Sequence, residues 1–133
     1  MRVFVDASAL VAIMKGEEDA KTLADTLEQH DVRLISGLAI WEAALAVATA
    51  SNSDMQRALE LCDRYVLEFG LTVVDIAAPE AREAAIAHDR YGRGTGHPAP
   101  LNMGDCFSYG CARTNDARLL YKGKDFSHTD LAL

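Results

Sequence analysis

Short apolar runs alternate along the chain with longer segments whose apolar residues recur at helical spacing. The strand-like runs are residues 3–5 (VFV), 32–35 (VRLI), 71–74 (LTVV) and 118–121 (RLLY). Between them lie amphipathic segments such as residues 17–28, in which apolar side chains repeat every three or four positions. Alternation of this kind is typical of a parallel sheet covered by helices on both faces. The pattern therefore predicts a three-layer α/β domain.

Residues that favour helix ends and turns separate these segments. Ser36 suits the N-cap of a helix in which Trp41 is expected to face the core, and Asn102 suits the N-cap of the helix before the fourth strand. Residues 92–100 (GRGTGHPAP) contain enough Gly and Pro to predict an irregular loop. A short edge strand at residues 131–133 would extend the mostly parallel sheet from four strands to five.

Length and composition limit the class of protein. A chain of 133 residues is expected to form one domain, residues 1–133, and a hydrophobic content of 50% is enough for a core. No apolar run approaches the roughly 20 residues of a membrane span. No signal peptide is recognisable, so a cytoplasmic location is expected. The three cysteines form no C-x-x-C pair and are expected to be reduced and buried.

The net charge of -7 argues against passive binding to nucleic acid, which favours basic surfaces. The charge is unevenly distributed, because basic residues outnumber acids between Arg82 and Lys124. Taken alone, this difference fits an ordinary solvated surface.

Acidic residues lie where parallel sheets present their sites. Asp6 follows the first strand, and Asp125 lies just beyond the fourth. Glu42 falls in the second turn of the helix after strand two, and Asp105 falls in the first turn of the helix before strand four. Right-handed crossovers bring such strand and helix ends to one edge of a sheet. Each acid by itself is equally compatible with a helix cap or a polar surface position.

A cluster of these four carboxylates would imply a cation. Carboxylates with few neighbouring bases repel one another unless a cation lies among them. Ligand sets made only of oxygen select hard cations such as Mg²⁺ or Mn²⁺. Such ions activate water and stabilise in-line displacement at phosphorus. The acids therefore predict metal-dependent phosphoryl chemistry that needs neither a histidine nor a serine nucleophile.

Four motifs, in order, resemble those of the PIN-domain ribonucleases, and among them the VapC-type toxins of bacterial toxin–antitoxin pairs. The resemblance covers nearly the whole chain. Residues 3–13 (VFVDASALVAI) look like the family's opening strand and aspartate. Residues 36–42 (SGLAIWE) resemble the second motif, which ends in the catalytic glutamate. Residues 101–112 (LNMGDCFSYGCA) resemble the third motif. Residues 119–131 (LLYKGKDFSHTDL) resemble a strand-and-turn ending common in this branch.

The resemblance implies a Mg²⁺-dependent endoribonuclease in which Mn²⁺ can substitute. Its catalytic and metal-binding residues would be Asp6, Glu42, Asp105 and Asp125. Many members place the fourth acid two residues earlier, where this chain has a glycine, so that Asp125 and Asp130 are both candidates. The family also implies an RNA substrate, a homodimer, and a small VapB-type antitoxin whose tail covers the acidic site.

Five residues are candidates for contact with the substrate. Ser8 matches the family's Ser or Thr, which hydrogen-bonds a ligand or a metal-bound water. Arg90 and Arg93 flank the glycine-rich loop, and Lys122 and Lys124 lie in the turn before Asp125. These basic residues are expected to bind phosphate, although both arginines are equally compatible with solvated positions at a helix C-terminus.

Two other functions remain open at this point. A phosphoaspartate-type phosphatase also begins with an aspartate at a strand end, but it uses D-x-D, and the second position here is Ser8. A catalytically weak PIN-like binding or scaffold module would need no complete set of acids. The presence of acids at three or four motif positions favours the enzyme.

Overall fold

The computed structural model describes all 133 residues, in which a four-stranded parallel sheet lies between two layers of helices. The elements are β1 (Arg2–Val5), α1 (Ala7–Lys15), α2 (Ala20–Glu28), β2 (Val32–Ser36), α3 (Gly37–Ser51), α4 (Met55–Glu68), β3 (Thr72–Val74), α5 (Ala78–Tyr91), α6 (Met103–Thr114) and β4 (Arg118–Leu120). The strand order is β3-β2-β1-β4. The predicted three-layer α/β architecture is confirmed.

Side chains of the strands divide between two cores. Val3 and Val5 of β1 join the core packed under α1 to α4, whereas Phe4 joins the core under α5 and α6. On β4, Leu120 faces the first core and Leu119 the second. Because both faces of the sheet are covered, the central strand β1 is buried at three successive residues, Val3 to Val5, rather than at alternate ones.

Three helices begin at the edge where the parallel strands end. Asp6 caps α1 directly after β1, and Ser36 caps α3 directly after β2, with its hydroxyl accepting a hydrogen bond from the Ala39 amide at 3.1 Å. Asn102 caps α6, which runs back across the sheet toward β4. This edge therefore collects the first turns of α1, α3 and α6.

Two expectations from the sequence are wrong in detail. Trp41 is 53% exposed rather than in the core, because α3 turns Ile40 and Val47 toward the sheet instead. The C-terminus adds no fifth strand. A single parallel bridge joins Leu119 to Ala132, so the sheet stays at four strands.

The three cysteines were expected to be reduced and buried. All three cysteines are free and buried. None of the helices has both the length and the apolar character that crossing a bilayer requires.

Candidate active site

Asp6 stands at the end of β1 with both carboxylate oxygens engaged. Its Oδ2 accepts hydrogen bonds from the Ser8 amide at 3.0 Å and the Ser8 hydroxyl at 2.6 Å. Its Oδ1 accepts one from the Ser108 hydroxyl at 2.6 Å, and the residue is only 5% exposed. Asp6 is thus both the cap of α1 and a carboxylate held in a fixed orientation at the sheet edge.

Glu42 reaches across from α3 to the first turn of α6. A Cβ added at Gly104 would lie 2.0 Å from Glu42 Oε2, so the carboxylate rests directly against the glycine. Burial, and then the charge of Asp6, raise the pKa of Glu42. Because Asp6 acts on Glu42 electrostatically, the acids from β1 and α3 share one site.

Asp105 is fixed by a reciprocal pair of hydrogen bonds with Asn102. The side-chain oxygen of Asn102 accepts from the Asp105 amide at 2.8 Å, and Asp105 Oδ2 accepts from the Asn102 amide at 3.1 Å. Burial raises the pKa of Asp105 to about 7, and the nearby carboxylates of Asp125 and Asp6 add to this increase, against the opposing effect of the Asn102 hydrogen bond. Asp105 therefore lies in the same electrostatic environment as Asp6.

Asp125, rather than Asp130, is the acid beside Asp105. The protonated form of Asp105 can donate a hydrogen bond to Asp125, and the charge of Asp125 also raises the pKa of Asp105, after burial. Asp130 instead accepts a hydrogen bond from the Tyr109 hydroxyl at 2.6 Å and pairs with Arg113 at 3.3 Å. The geometry favours Asp125 as the fourth carboxylate.

The acids approach one another without forming a ready metal cage. No group of three or more Asp, Glu, His or Cys side chains is arranged to hold a metal ion. The donor set nevertheless fits a hard divalent cation, because all four groups are carboxylates and their mutual charges, together with burial, disfavour ionisation of Glu42 and Asp105. Completing the ligand set requires side chains to turn toward one another, and the metal ligands stay a prediction.

Two of the residues predicted to contact substrate are engaged within the protein. The Ser8 hydroxyl, already bonded to Asp6, accepts a hydrogen bond from the Lys122 amide at 3.0 Å. The Lys122 ammonium pairs with Glu17 at 3.3 Å and Asp19 at 3.2 Å. Both contacts join the end of β4 to α1 and the connection after it, so the charge of Lys122 is balanced locally.

The other predicted substrate residues are exposed. Arg90 lies in the last turn of α5, Arg93 follows it in the glycine-rich loop, and Lys124 lies in the turn after β4. None of the three forms an ion pair with a carboxylate, so their charges are available to a phosphate backbone. Whether they contact RNA stays a prediction.

Two residues of the site were missed from the sequence. Ser108 donates a hydrogen bond to Asp6, and Gly104 makes room for Glu42. Ser108 lies three residues after Asp105, which places both on one face of a helix, and this spacing is the signal that could have found it. No sequence spacing predicts the role of Gly104, because the residue it contacts, Glu42, belongs to another helix.

Several known proteins are similar to this chain in sequence or in fold. The family model for the PIN domain matches residues 3–131. The chain is 39% identical to VapC ribonuclease Mb2780c of Mycobacterium bovis and to Ribonuclease VapC42 of Mycobacterium tuberculosis, over 97% of this chain and 96% of each relative. Ribonuclease VapC28 of Mycobacterium tuberculosis is also 39% identical, over 96% of this chain and 93% of that protein.

A solved structure has the same overall fold. The crystal structure of Mycobacterium tuberculosis VapC20, described as a Sarcin-Ricin loop cleaving toxin, matches with a TM-score of 0.75. The match covers 98% of this chain and 96% of that one, at 19% sequence identity. At this identity the likeness concerns the fold.

Proposed function

The chain belongs to the PIN-domain family, and on this premise we propose that it is a metal-dependent endoribonuclease, the toxin of a toxin–antitoxin pair. One observation carries the proposal. Asp6, Glu42 and Asp105 come from three separate motifs, and the charge of Asp6 contributes to raising the pKa of both Glu42 and Asp105 at one edge of the sheet. The 39% identity with VapC ribonucleases over nearly the full chain supports RNA as the substrate.

Each acid has a role that follows from its surroundings. A bound Mg²⁺ or Mn²⁺ would neutralise the carboxylates and supply an activated water for attack on the phosphodiester. Asp6 and Asp105 are held by hydroxyl and amide donors, which suits them to be fixed ligands, and Asp125 and Glu42 would complete the proposed set. Burial, and then the charge of Asp6, raise the pKa of Glu42, which also suits it to accept a proton from the attacking water.

The alternative functions are less consistent with these contacts. A phosphatase that uses Asp6 as a nucleophile needs a second carboxylate two positions on, in a D-x-D arrangement, to act as acid and base. The residue two positions on is Ser8, whose hydroxyl is bonded to Asp6 and cannot replace an acid/base carboxylate. A scaffold module would have no reason to keep four acids at the site.

The proposed activity is tested by incubating the purified chain, free of antitoxin, with total RNA in Mg²⁺ or Mn²⁺ and mapping the new RNA ends. Discrete new ends that vanish in EDTA support the proposal. RNA left intact in both metals contradicts it.

Gly104→Ala is expected to lower RNA cleavage about 10- to 100-fold while the fold survives. The added methyl group would displace the Glu42 carboxylate, which is the end of a flexible side chain and can move without shifting the helix. Alanine is also favoured over glycine within a helix by about 1 kcal/mol. Cleavage rate and thermal melting are the measurements.

Gly37→Ala is the matched control, because Gly37 opens α3 and a Cβ there meets nothing within 4 Å. Wild-type cleavage is expected for this variant. A Gly104→Ala protein that is as active as the control would show that the position of Glu42 does not matter.

Affinity for RNA is expected to come from exposed arginines, because the net charge of -7 makes the protein as a whole repel phosphate. Replacing Arg90 and Arg93 with Ala should weaken binding and flatten its salt dependence by about one unit of slope per lost phosphate contact. Filter binding across a salt series measures this slope. The double variant of Arg57 and Arg64, both exposed on α4, removes the same charge elsewhere. Equal slopes for the two double variants would rule out the proposed contacts.

An exposed apolar groove beside the acids suits the antitoxin. Trp41 and Leu45 of α3 and Met55 and Leu59 of α4 line a cavity of about 220 Å³, and Trp41 directly precedes Glu42. Trp41 and Leu45 are 53% and 43% exposed and lie one helical turn apart, and contiguous exposed apolar residues of this kind mark interaction sites. An apolar antitoxin segment in this groove would lie close enough for its tail to cover the acids.

The homodimer is proposed on family grounds. Residues 43–50 (AALAVATA) are nearly all apolar, but they lie partly in the core, where Ala43, Ala44, Val47 and Ala48 are buried. Exposed apolar side chains elsewhere, such as Val73 and Ile86, remain available to a second copy. Light scattering at micromolar concentration should give about twice the chain mass of 14.4 kDa. A monomer under these conditions counts against the dimer.

A further inference from the structure

A cavity of about 510 Å³ lies between α5 and α6, and we call it the α5–α6 slot. Alanines of α5 form one wall, and Leu101 and Phe107 contribute to the other. Polar groups are confined to three residues, His88, Arg93 and Asn102, all of which are exposed. The slot is thus an apolar recess with a polar rim at the surface.

The slot exists because small residues lie at the contact between α5 and α6. A Cβ added at Gly110 of α6 would lie 2.6 Å from the Glu80 carbonyl oxygen of α5, so the helices touch closely there. Phe107 precedes Gly110 by one helical turn and lines the slot. On the facing helix α5, Ala81 and Ala85 are four residues apart and therefore lie on the same face. Their side chains are too small to fill the space opposite Phe107, and this space is the slot.

The slot adjoins the acids through the first turn of α6. Asn102 and Met103 line the slot, whereas the next two residues, Gly104 and Asp105, face Glu42 and the acid cluster. Asn102 is also hydrogen-bonded to Asp105 in both directions. The slot and the acid cluster therefore lie on adjoining faces of the first turn of α6. They are separated by no more than the width of a helix with its side chains, about 10–12 Å.

The charge of the slot differs from that of the whole protein. None of its lining residues is acidic, and Arg93 is basic, although the chain carries a net charge of -7. A group attached to a phosphate backbone therefore meets no carboxylate among the residues that line the slot.

We propose that the α5–α6 slot receives one unpaired nucleobase of the RNA, next to the phosphate that is cleaved. This proposal rests on the ribonuclease function proposed above. Proteins that read unpaired RNA hold the base between apolar or aromatic surfaces and bond its polar edge. Here Phe107 and the alanine wall supply the surfaces, Asn102 and His88 meet the base edge, and Arg93 meets the neighbouring phosphate. The slot, rather than the acids, would then determine sequence preference at the cut.

Binding of a nucleobase in the slot is tested by titrating nucleoside 5′-monophosphates into the ¹⁵N-labelled full chain and following the amide resonances by NMR. Ribose 5-phosphate, which lacks the base, is the matched ligand. Amides of Ala85, Cys106 and Phe107 are expected to shift with at least one nucleotide and not with ribose 5-phosphate. Identical shifts with both ligands, or no shift at these amides, overturn the proposal and leave the slot to an apolar side chain of a protein partner.

Filling the slot provides a second test. Ala85→Leu adds side-chain volume at an exposed helical position that lines the slot, and it is expected to weaken nucleotide binding about tenfold or more. Ala78→Leu makes the same change in the first turn of α5, outside the slot, and should bind as wild type. Ala81→Leu serves in its place if Ala85→Leu fails to fold. Unchanged nucleotide binding in a folded slot variant overturns the proposal.

Cleavage of a random-sequence RNA pool separates this inference from the proposed function. Wild type is expected to show a base preference at a nucleotide adjoining the cut, and Ala85→Leu is expected to lose that preference. A wild type that cuts without any base preference contradicts only the slot. A wild type that cuts no RNA in either metal contradicts the ribonuclease itself, whatever the nucleotide titration shows.

Discussion

Asp6→Asn is expected to abolish RNA cleavage, with a loss of at least about a hundredfold, and to leave the fold in place. Asparagine has the size of aspartate but lacks the negative charge that attracts a metal ion. Its side-chain oxygen can still accept the hydrogen bond that Asp6 receives from the Ser8 amide, so the cap of α1 survives. The hydroxyls of Ser8 and Ser108 can rotate to bond the amide.

The measurement is the rate of RNA cleavage in Mg²⁺ or Mn²⁺, together with thermal melting to establish folding. Asp75→Asn is the matched control, because Asp75 is likewise an aspartate just beyond a strand, here β3, but is exposed and belongs to no acid cluster. Asp75→Asn should cleave like wild type. A folded Asp6→Asn protein that cuts at the wild-type rate would eliminate the metal mechanism.

Mn²⁺ is expected to raise the melting temperature of the wild type on the order of 10 °C when its concentration is about 100 times the dissociation constant. The gain arises because the ion binds only the folded cluster and relieves repulsion among its carboxylates. Asp105→Asn should lose most of this gain and most RNA cleavage, since it removes one buried ligand. Its side-chain oxygen can still accept from the Asn102 amide, so the cap of α6 is retained.

The same variant should be more stable than wild type when no metal is present. The pKa of Asp105 is about 7 in the folded protein, against about 3.9 in an unfolded chain. Between these values the unfolded chain binds fewer protons, so this group makes the free energy of unfolding fall as pH rises from about 4 to about 7. Above that range its contribution stays constant. The advantage of Asp105→Asn should therefore grow across this window and then level off.

Melting curves in EDTA between pH 4 and pH 8 measure the difference in stability between wild type and Asp105→Asn. Taking the difference cancels the titration of groups that the two proteins share. Asp116→Asn, an exposed aspartate before β4, is the control and should show no such trend. A wild type whose stability relative to Asp105→Asn does not change with pH would mean that Asp105 is not held in the buried, acidic environment described. A gain in Mn²⁺ that persists in Asp105→Asn would exclude Asp105 as a ligand.

Much of the fold was determined by local pattern. All four apolar runs contain strands, and in β1 the run is continuous because successive residues are buried on both sides of the sheet. Ser36 and Asn102 begin helices because their side chains satisfy amides that the first helical turn leaves unpaired. The expected positions of Asp6, Glu42 and Asp105 follow from these elements, since parallel strands end at one edge.

Other features depended on contacts that no local pattern contains. Trp41 has the spacing of a core residue, yet the rotation of α3 on the sheet leaves it exposed beside α4. The choice of Asp125 over Asp130 depended on which side chain reaches Asp105 and which is taken by Tyr109.

The sequence by itself determined the strands, the helix caps and the chemical class of the site, because each depends on residues close together in the chain. Only the tertiary structure decided that Ser108 holds Asp6 from 102 residues away and that Gly104 makes room for Glu42. It also decided that α5 and α6 leave a slot beside the acids. Such features arise from the relative rotation and spacing of packed elements, which set distances between residues that share no sequence period.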